Sequence, residues 1–361
     1  MSGRLEPEAL RLLTLGRQML LRRSDVTALE AVRRLAGLNA QHRRAPYIGL
    51  WSRLEGFQRQ DLEQALGQGL VQKATLMRGT LHLVPADEHP LYFAGLAEAR
   101  RRSFRSFFPR VAASIPEDRV QDILREVLGT APRPFRELER LLQPFFPQAP
   151  AQSLSFAAKA LAPLVQLPPA GAWDGRGSPV YAWAGSLAAV PAAQAEEALL
   201  ERYLGAFGPA TIRDFAQWSG LGLTTAQAVR NRLGDRLREF PGDGGPYLDL
   251  ATASREVQAE PPVRLLPRWD NLLLAYRDRS RVLPPNLQEQ VIMRDGRVLP
   301  TFLVGGQVAG TWDIGETGGQ GTILLSPLRR LSQRDQDALR EEADALGRWL
   351  APGGGPGHAG A

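Results

Sequence analysis

The amino-acid sequence predicts an α+β protein that combines three successive helical segments, each closed by a β-hairpin, with a small C-terminal antiparallel β-structure. Apolar residues recur with the 3.6-residue period of amphipathic helices up to about residue 250. From Pro261 onward, short apolar stretches bounded by Gly, Pro and Asp replace that period. A chain of 361 residues with 43% hydrophobic and 23% charged residues has room for several small domains.

The first segment is expected to cover residues 1–85. Thr27 and Glu30 have the spacing of a capping box, which predicts the beginning of a helix. Pro46 suits the first turn of another helix. The helical period then ends in an alternating stretch typical of a hairpin. The expected helices are residues 7–20, 27–36, 46–54 and 60–66, and the expected hairpin is residues 71–84.

A basic connecting helix is expected over residues 86–116. Its arginines are interleaved with phenylalanines, and this combination suits the backbone of a nucleic acid. The alternative, favoured for charge runs in general, is a solvated arginine face on a helix buried by its phenylalanines. The residues concerned are Arg100, Arg101, Arg102, Arg105 and Arg110, with Phe104, Phe107 and Phe108.

The second and third segments, residues 117–190 and 191–255, repeat the order of three helices and a hairpin. Residues 135–138 align with residues 212–215 at nearly the same distance from the following hairpin. Three helices closed by a twisted hairpin are the layout of a winged helix, and three in tandem indicate a nucleic-acid partner. Winged helices also serve as protein-interaction modules. The expected helices are residues 117–128, 135–142, 153–165, 193–204, 211–218 and 225–233, with turns at residues 174–175 and 243–245.

Residues 256–350 are expected to form a small antiparallel β-barrel followed by a helix that Ser332 caps. The remaining residues, 351–361, are rich in glycine and proline without large apolar side chains, so we expect a disordered tail. The strand candidates are residues 263–267, 291–293, 301–304, 307–312 and 321–325.

Two carboxamides, Asn39 and Gln41, lie one residue apart between two predicted helices. Gly37 is a natural end for the preceding helix. In an extended segment Leu38 and Ala40 would face one side and the two amides the other. The plain interpretation is a polar loop with a solvated amide pair.

The composition excludes several kinds of chemistry. Cysteine is absent, which excludes disulfides, thiolate metal sites, iron–sulfur clusters and cysteine nucleophiles. Only four histidines occur, one of them in the tail, so a conventional zinc site is not expected. We expect no metal site, no nucleotide cofactor and no other cofactor.

Charge and hydropathy indicate the kind of partner and the location of the protein. The formal charge of +6 favours a polyanionic partner, although the strong arginine bias is also typical of GC-rich genomes. No apolar leader and no stretch of membrane-spanning length is visible in the sequence. These features predict a cytoplasmic protein without a membrane partner.

Several short motifs occur in a specific order along most of the chain. They are GLNAQ (37–41), MRGTLHLVP (77–85), GPAT (208–211), WSGL (218–221), LLP (265–267), WDNLLL (269–274), DRSR (278–281) and VAGTW (308–312). Together they resemble the bacterial winged-helix DNA glycosylases of the AlkZ/YcaQ type. The resemblance implies three tandem winged helices and a C-terminal β-barrel that form a concave surface around duplex DNA. It also implies hydrolysis of the N-glycosidic bond of N7-alkylated purines, including bulky adducts and interstrand crosslinks.

The resemblance places the catalytic element at Asn39 and Gln41, where the family has Gln-x-Gln or Gln-x-Asp. A carboxamide can hold a water molecule through its carbonyl group and donate through its NH₂ group, although it cannot act as a strong base. Asn39 is shorter than the family glutamine by one methylene, on the order of 1.5 Å of reach. We therefore expect weakened, altered or narrowed activity, or binding of lesions without cleavage.

Further residues are predicted to support the site or to bind DNA. Asp270 could stabilise an oxocarbenium ion, although pairing with one of two nearby arginines is the commoner fate of such a carboxylate. Arg78 and His82 could line one cavity, and a structural hydrogen bond is the alternative for each. The supporting or DNA-binding residues are Arg43, Arg78, His82, Asp270, Asn271, Arg279 and Arg281.

Neither lysine, Lys73 or Lys159, matches a catalytic position of the family, so a monofunctional glycosylase without lyase activity is expected. Its partner would be duplex DNA that contains alkylated purines, bound by a monomer. The competing interpretation is a non-catalytic winged-helix protein, either a transcription regulator or a lesion binder. A protein-interaction scaffold is a third interpretation.

Overall fold

The computed structural model describes residues 3–185, 190–242, 244–255, 259–315 and 322–351. In chain order, its helices are α1 (Pro7–Arg17), α2 (Ala28–Arg34), α3 (Ala45–Trp51), α4 (Arg59–Gly67), α5 (His89–Gly95), α6 (Ala97–Phe107), α7 (Glu117–Thr130), α8 (Phe135–Leu142), α9 (Ala151–Leu161), α10 (Ala192–Phe207), α11 (Ile212–Ser219), α12 (Leu223–Leu233), α13 (Asn271–Leu274), α14 (Gln288–Val291) and α15 (Gln333–Leu350). Its strands are β1 (Leu38–Asn39), β2 (Val71–Thr75), β3 (Leu81–Pro85), β4 (Arg133–Pro134), β5 (Leu164–Gln166), β6 (Val180–Trp183), β7 (Ala210–Thr211), β8 (Leu237–Phe240), β9 (Tyr247–Leu250), β10 (Arg264–Leu266), β11 (Thr301–Val304), β12 (Gln307–Gly315) and β13 (Thr322–Pro327).

Side-chain caps begin several of these helices. The Thr27 hydroxyl accepts a hydrogen bond from the Glu30 N–H at 3.2 Å, as the sequence predicts. The Glu30 carboxylate does not complete the predicted capping box, because it pairs with Arg34 at 2.9 Å. Ser332 caps α15 as predicted, accepting from the N–H of Asp335 at 3.1 Å.

One order of elements occurs three times: helix, strand, helix, helix, strand, strand. We call these repeats unit 1 (α2 to β3), unit 2 (α7 to β6) and unit 3 (α10 to β9). In each unit the first strand pairs with the third, and the third pairs with the second. The sequence did not predict the first strand of each unit, because two residues are too few for a recognisable alternation.

Units 1 and 2 share one sheet. Strand β2 pairs with β5 through Lys73 opposite Gln166 and Ala74 opposite Val165. In the part of the chain that the structure describes, this gives a six-stranded sheet with the order β1-β3-β2-β5-β6-β4. The two units are therefore joined by backbone hydrogen bonds as well as by side-chain packing.

The C-terminal strands form an open sheet where a barrel was expected. Within the described residues the strand order is β10-β11-β12-β13, and β10 does not pair with β13. So few strands do not enclose a filled interior, and α15 packs against the sheet instead. The strand predicted at residues 291–293 is wrong, because α14 ends there at Val291 and only an isolated bridge joins Ile292 to Val298.

The hydrophobic clusters extend across the predicted segments. The largest contains side chains of α1, of unit 3 and of the chain around α13, including Leu15, Tyr203 and Tyr276. A second joins unit 1 to the C-terminal sheet and α15, while a third lies within unit 2 and α6. The expected connecting helix is two helices, α5 and α6. The predicted tail from residue 352 onward, and residues 243 and 321, lie outside the described residues.

Candidate active site

The segment with the two amides is held against unit 1 by backbone pairing. Leu38 lies opposite Leu83 in the sheet, and Asn39 lies opposite His82. Gly37 turns the chain into β1 with a φ of +85°, and a Cβ there would lie 3.1 Å from the Leu83 carbonyl oxygen. Glycine suits this position for two reasons: it adopts a left-handed backbone without strain, and it has no Cβ to contact the Leu83 carbonyl oxygen.

Leu38 and Ala40 are both buried in the cluster shared with the C-terminal sheet, in agreement with the prediction that they face the same side. The side chains of Asn39 and Gln41 nevertheless have different environments. Asn39 is only 4% exposed, whereas Gln41 is exposed to solvent.

Asn271, at the start of α13, binds the backbone of the segment that contains the two amides. Its side-chain oxygen accepts a hydrogen bond from the Asn39 N–H at 3.0 Å, and its NH₂ group donates to the Gly37 carbonyl. Both bonds are buried and both are to backbone atoms. The predicted supporting residue Asn271 thus lies beside the amide segment and fixes its position.

The Asn39 side chain turns back on its own chain. Its Oδ1 accepts a hydrogen bond from the backbone N–H of Gln41 at 3.2 Å, which is the geometry of an Asx turn. This bond orients the backbone of Gln41, while the Gln41 side chain lines a cavity of about 560 Å³. Asn39 is not among the described residues that line this cavity.

The cavity lies where all three units meet α6. Its lining is cationic and aromatic, and the described lining residues include no carboxylate. Burial lowers the pKa of Arg78 to about 10 and that of Arg100 to about 9, so both groups stay charged at neutral pH. The cationic residues are Arg78, Arg100, Arg102 and Lys159, and the aromatic residues are Phe107, Phe156 and Tyr181.

Arg78 is a predicted site residue that reaches this cavity. Its backbone is left-handed, with a φ of 53°, and its guanidinium donates to the Trp218 carbonyl at 2.6 Å. The predicted pairing of Arg78 with His82 on one cavity wall is not observed. His82 is buried beneath the hairpin, where its Nδ1 donates to the Thr80 carbonyl at 2.9 Å. Burial, with a smaller effect of Arg78, lowers the pKa of His82 to about 3, so the imidazole is neutral.

Asp270 forms a buried ion pair with Arg53, so the predicted partners Arg279 and Arg281 are wrong. The guanidinium donates through both terminal nitrogens, to Oδ2 at 2.9 Å and to Oδ1 at 2.8 Å. Asp270 also caps α13 by accepting from the N–H of Leu272. The sequence gives no indication that Arg53 is the partner of Asp270. Arg53 follows an otherwise apolar helix pattern and lies 217 positions before Asp270 in the chain.

Arg279 and Arg281 stabilise the junction between α1, unit 3 and α13. Arg279 donates to the Leu273 carbonyl at 2.7 Å, and burial lowers its pKa. Arg281 donates to the Pro209 carbonyl at 2.7 Å and lies 4.2 Å from the Tyr276 ring centroid. Both guanidinium groups are used within the fold.

A smaller basic cavity of about 220 Å³ follows the amide segment. Its described titratable lining residues are three arginines, one histidine and one carboxylate: Arg43, Arg44, Arg268, His42 and Asp313. Burial and then the neighbouring arginines lower the pKa of His42 to about 4. Arg268 makes no hydrogen bond or ion pair with the described residues. Sequence reasoning missed His42 and Arg268, although both adjoin motif residues.

The arginines of α6 agree only in part with the predicted solvated arginine face on a helix buried by its phenylalanines. Phe104 is buried and Arg105 is exposed, as that alternative predicts, but Arg100 is buried and Phe107 is 68% exposed. Arg100 is buried and donates to the carbonyls of Ala160 and Phe93. Arg101 pairs with Glu117. Arg102 bonds to Glu98 and to the Gly220 carbonyl, which closes one side of the cavity.

Comparison with known proteins identifies the family. A family model described as DNA glycosylase AlkZ-like matches residues 32–349. The chain belongs to the AlkZ-like DNA glycosylase family. The family expectation drawn from the sequence motifs is thereby confirmed.

This AlkZ-like chain is similar to the interstrand DNA cross-link repair glycosylase of Streptomyces sahachiroi, with 25% identity over 358 residues that cover 92% of this chain and 93% of the relative. Its structure is similar to that of Streptomyces sahachiroi DNA glycosylase AlkZ, with a TM-score of 0.81 and 22% identity over 94% of this chain and 95% of the other. The structural likeness shows the shared fold.

No described helix of this AlkZ-like chain is both long and apolar enough to cross a membrane. No group of three or more His, Cys, Asp or Glu side chains in the same residues is placed to hold a metal ion.

Proposed function

We propose that this AlkZ-like glycosylase hydrolyses the N-glycosidic bond of N7-alkylated purines in duplex DNA, including bulky adducts and interstrand crosslinks. The observation that carries the proposal is the exposed carboxamide of Gln41 in a cationic cavity whose described lining residues include no carboxylate. The similarity of this chain to the interstrand DNA cross-link repair glycosylase of Streptomyces sahachiroi supports the crosslink substrate. The repeated units act as three winged helices that bind the duplex as a monomer, and their shared order of elements supports this.

The proposed hydrolysis does not require a strong general base. An N7-alkylated purine is cationic and leaves readily, so the enzyme mainly has to place water at C1′ and stabilise an oxocarbenium-like transition state. The Gln41 carboxamide accepts a hydrogen bond from the water and donates another to it or to the sugar. Asn39 positions Gln41 through the bond to its N–H. In this assignment Gln41 is the catalytic residue and Asn39 is the positioning residue.

The enzyme acts as a monofunctional glycosylase, with water as its nucleophile. Lys159 lines the same cavity and is the amine that a lyase would use. Its Nζ lies 4.5 Å from the Phe135 ring centroid, and burial lowers the pKa of this amine. Lys159 matches no catalytic position of the family motif, which supports water as the nucleophile. Borohydride trapping on abasic DNA is expected to leave the protein without a covalent adduct, and a trapped adduct lost in Lys159→Met would contradict the assignment.

The activity test uses duplexes that carry N7-methylguanine or an N7-linked interstrand crosslink, followed by alkaline cleavage of abasic sites. Wild type is expected to release the methylated base and to unhook the crosslink, and Gln41→Ala is expected to do neither. The matched control is Gln64→Ala, an exposed position on α4 outside the cavity. Equal activity of Gln41→Ala and wild type would overturn the proposal.

One observation favours a second function, lesion binding without cleavage. The first family carboxamide is the shorter Asn39 here, and it is buried. The lesion-binding alternative predicts tight binding of alkylated duplexes with no base release by wild type. Base release by Asn39→Gln would then show that this chain keeps the fold and the binding of DNA but has lost the hydrolytic activity.

A further inference from the structure

The cavity beside Gln41 has an aromatic shelf at its other side. Phe107, the last residue of α6, is 68% exposed and lines the cavity together with Phe156. The two ring centroids lie 5.3 Å apart. We call Phe107 and Phe156 the aromatic shelf.

Other phenylalanine rings support the aromatic shelf. The Phe156 ring also packs against Phe104 at 6.1 Å and against Phe108 at 5.5 Å. Phe104 is buried in the unit 2 cluster, so the ring beneath Phe107 is anchored in a core. A supported ring that offers an open face loses little side-chain entropy when a planar ligand stacks on it.

Volume and charge restrict the occupant. A cavity of about 560 Å³ is in the size range of pockets for drug-sized ligands and exceeds what a methylated base requires. Arg78, Arg102 and Lys159 on its walls add repulsion if the substituent carries a positive charge of its own beside that of the alkylated base. A neutral, flat aromatic substituent adds no further charge and can stack on the exposed ring.

We propose that Phe107, supported by Phe156, is a specificity-determining residue that stacks on a neutral planar aromatic substituent carried by N7 of the purine. The inference rests on the proposed function, because it places the scissile bond at Gln41. It adds a preference among lesions: of two adducts with equal bulk, the aromatic one is the better substrate.

The test compares base release from three duplexes that differ only at N7 of one guanine: methyl, cyclohexylmethyl and benzyl. Phe107→Leu is expected to lower kcat/KM for the benzyl adduct by about tenfold and to leave the methyl and cyclohexylmethyl adducts almost unchanged. Phe107→Trp keeps a stacking face and is expected to retain the benzyl activity. Phe145→Leu, at an aromatic residue that is 49% exposed outside the cavity, is the matched control.

Each outcome decides the inference. Selective loss on the benzyl adduct, retained by Phe107→Trp, supports it. Equal losses on all three duplexes, with weaker binding of undamaged DNA, would overturn it and make Phe107 a wedge between base pairs. Unchanged kinetics of Phe107→Leu would overturn it while the proposed function stands. Absence of base release by wild type from every duplex would overturn both.

Discussion

At the scale of single residues, the two amides share a motif but have different tasks. Asn39 is buried and uses its oxygen to hold the N–H of Gln41, which leaves one carboxamide in the cavity. The alternation of the sequence predicted a shared side for Leu38 and Ala40, and both are buried in one cluster. It could not show that Asn39 turns back on its own chain, because a short polar side chain chooses its partners locally.

Breaking the buried ion pair of Arg53 and Asp270 from one side is expected to be strongly destabilising. Asp270→Asn removes the charge but can still cap α13, so it leaves the Arg53 guanidinium buried and uncompensated. The expected loss in the free energy of unfolding is about 3–5 kcal/mol, measured by urea denaturation. Asp337→Asn, in an exposed ion pair on α15, is the control and should show no resolvable change. Equal effects of the two substitutions would contradict the assignment.

At the scale of elements, the caps and long helices were predictable and the shortest strands were not. Thr27 and Ser332 begin helices as their residue types predict. The apolar run at residues 291–293 predicts a strand, but α14 ends there, since a few apolar residues fit either a strand or a helix end. The C-terminal sheet was predicted, but whether it closes depends on pairing between distant strands, which alternation does not encode.

Strand β1 is expected to depend on α13 through Asn271. Asn271→Ala removes the acceptor for the Asn39 N–H and the donor to the Gly37 carbonyl, at a cost of about 1–3 kcal/mol. Hydrogen exchange of residues 38–41 should accelerate, and base release should slow as Gln41 loses its fixed position. Asn286→Ala, at an exposed position, is the control. Unchanged exchange at β1 in Asn271→Ala would rule out this support.

At the scale of the whole molecule, contacts between segments that are distant in sequence determine which residues meet at the site. The Arg53–Asp270 pair and the cavity shared by three units and α6 join residues that local patterns cannot connect. The motif resemblance identified the family and drew attention to residues 269–274. It could not identify the aromatic shelf, whose two residues, on α6 and α9, form one surface only in the folded chain.

Two buried histidines are expected to make the fold acid-sensitive. Burial lowers the pKa of His82 to about 3 and that of His89 to about 4, so both are neutral in the folded state. The unfolded chain binds these protons below about pH 6.5, so stability falls as the pH drops from there, by about 1.4 kcal/mol per pH unit for each histidine. His82→Asn keeps a donor for the Thr80 carbonyl and should flatten this dependence in urea titrations between about pH 7 and pH 5. An unchanged slope would contradict the prediction.

The basic cavity after the amide segment is expected to bind phosphate groups of DNA. If Arg43 and Arg268 each neutralise one phosphate, substituting either by alanine should reduce the slope of log K against log salt by about 0.9. Arg340→Ala, in an exposed ion pair on α15, is the control and should leave the slope unchanged. Equal slopes for all variants would show that this cavity does not contact the backbone.

The most direct test of the central claim is single-turnover base release from an N7-methylguanine duplex by wild type and Gln41→Ala, with the duplex affinity measured in parallel. If the Gln41 carboxamide places the water, the rate should fall by about a hundredfold or more while Kd stays nearly the same. A rate that is unchanged, or that falls only in proportion to a loss of affinity, would contradict the assignment of Gln41 as the catalytic residue.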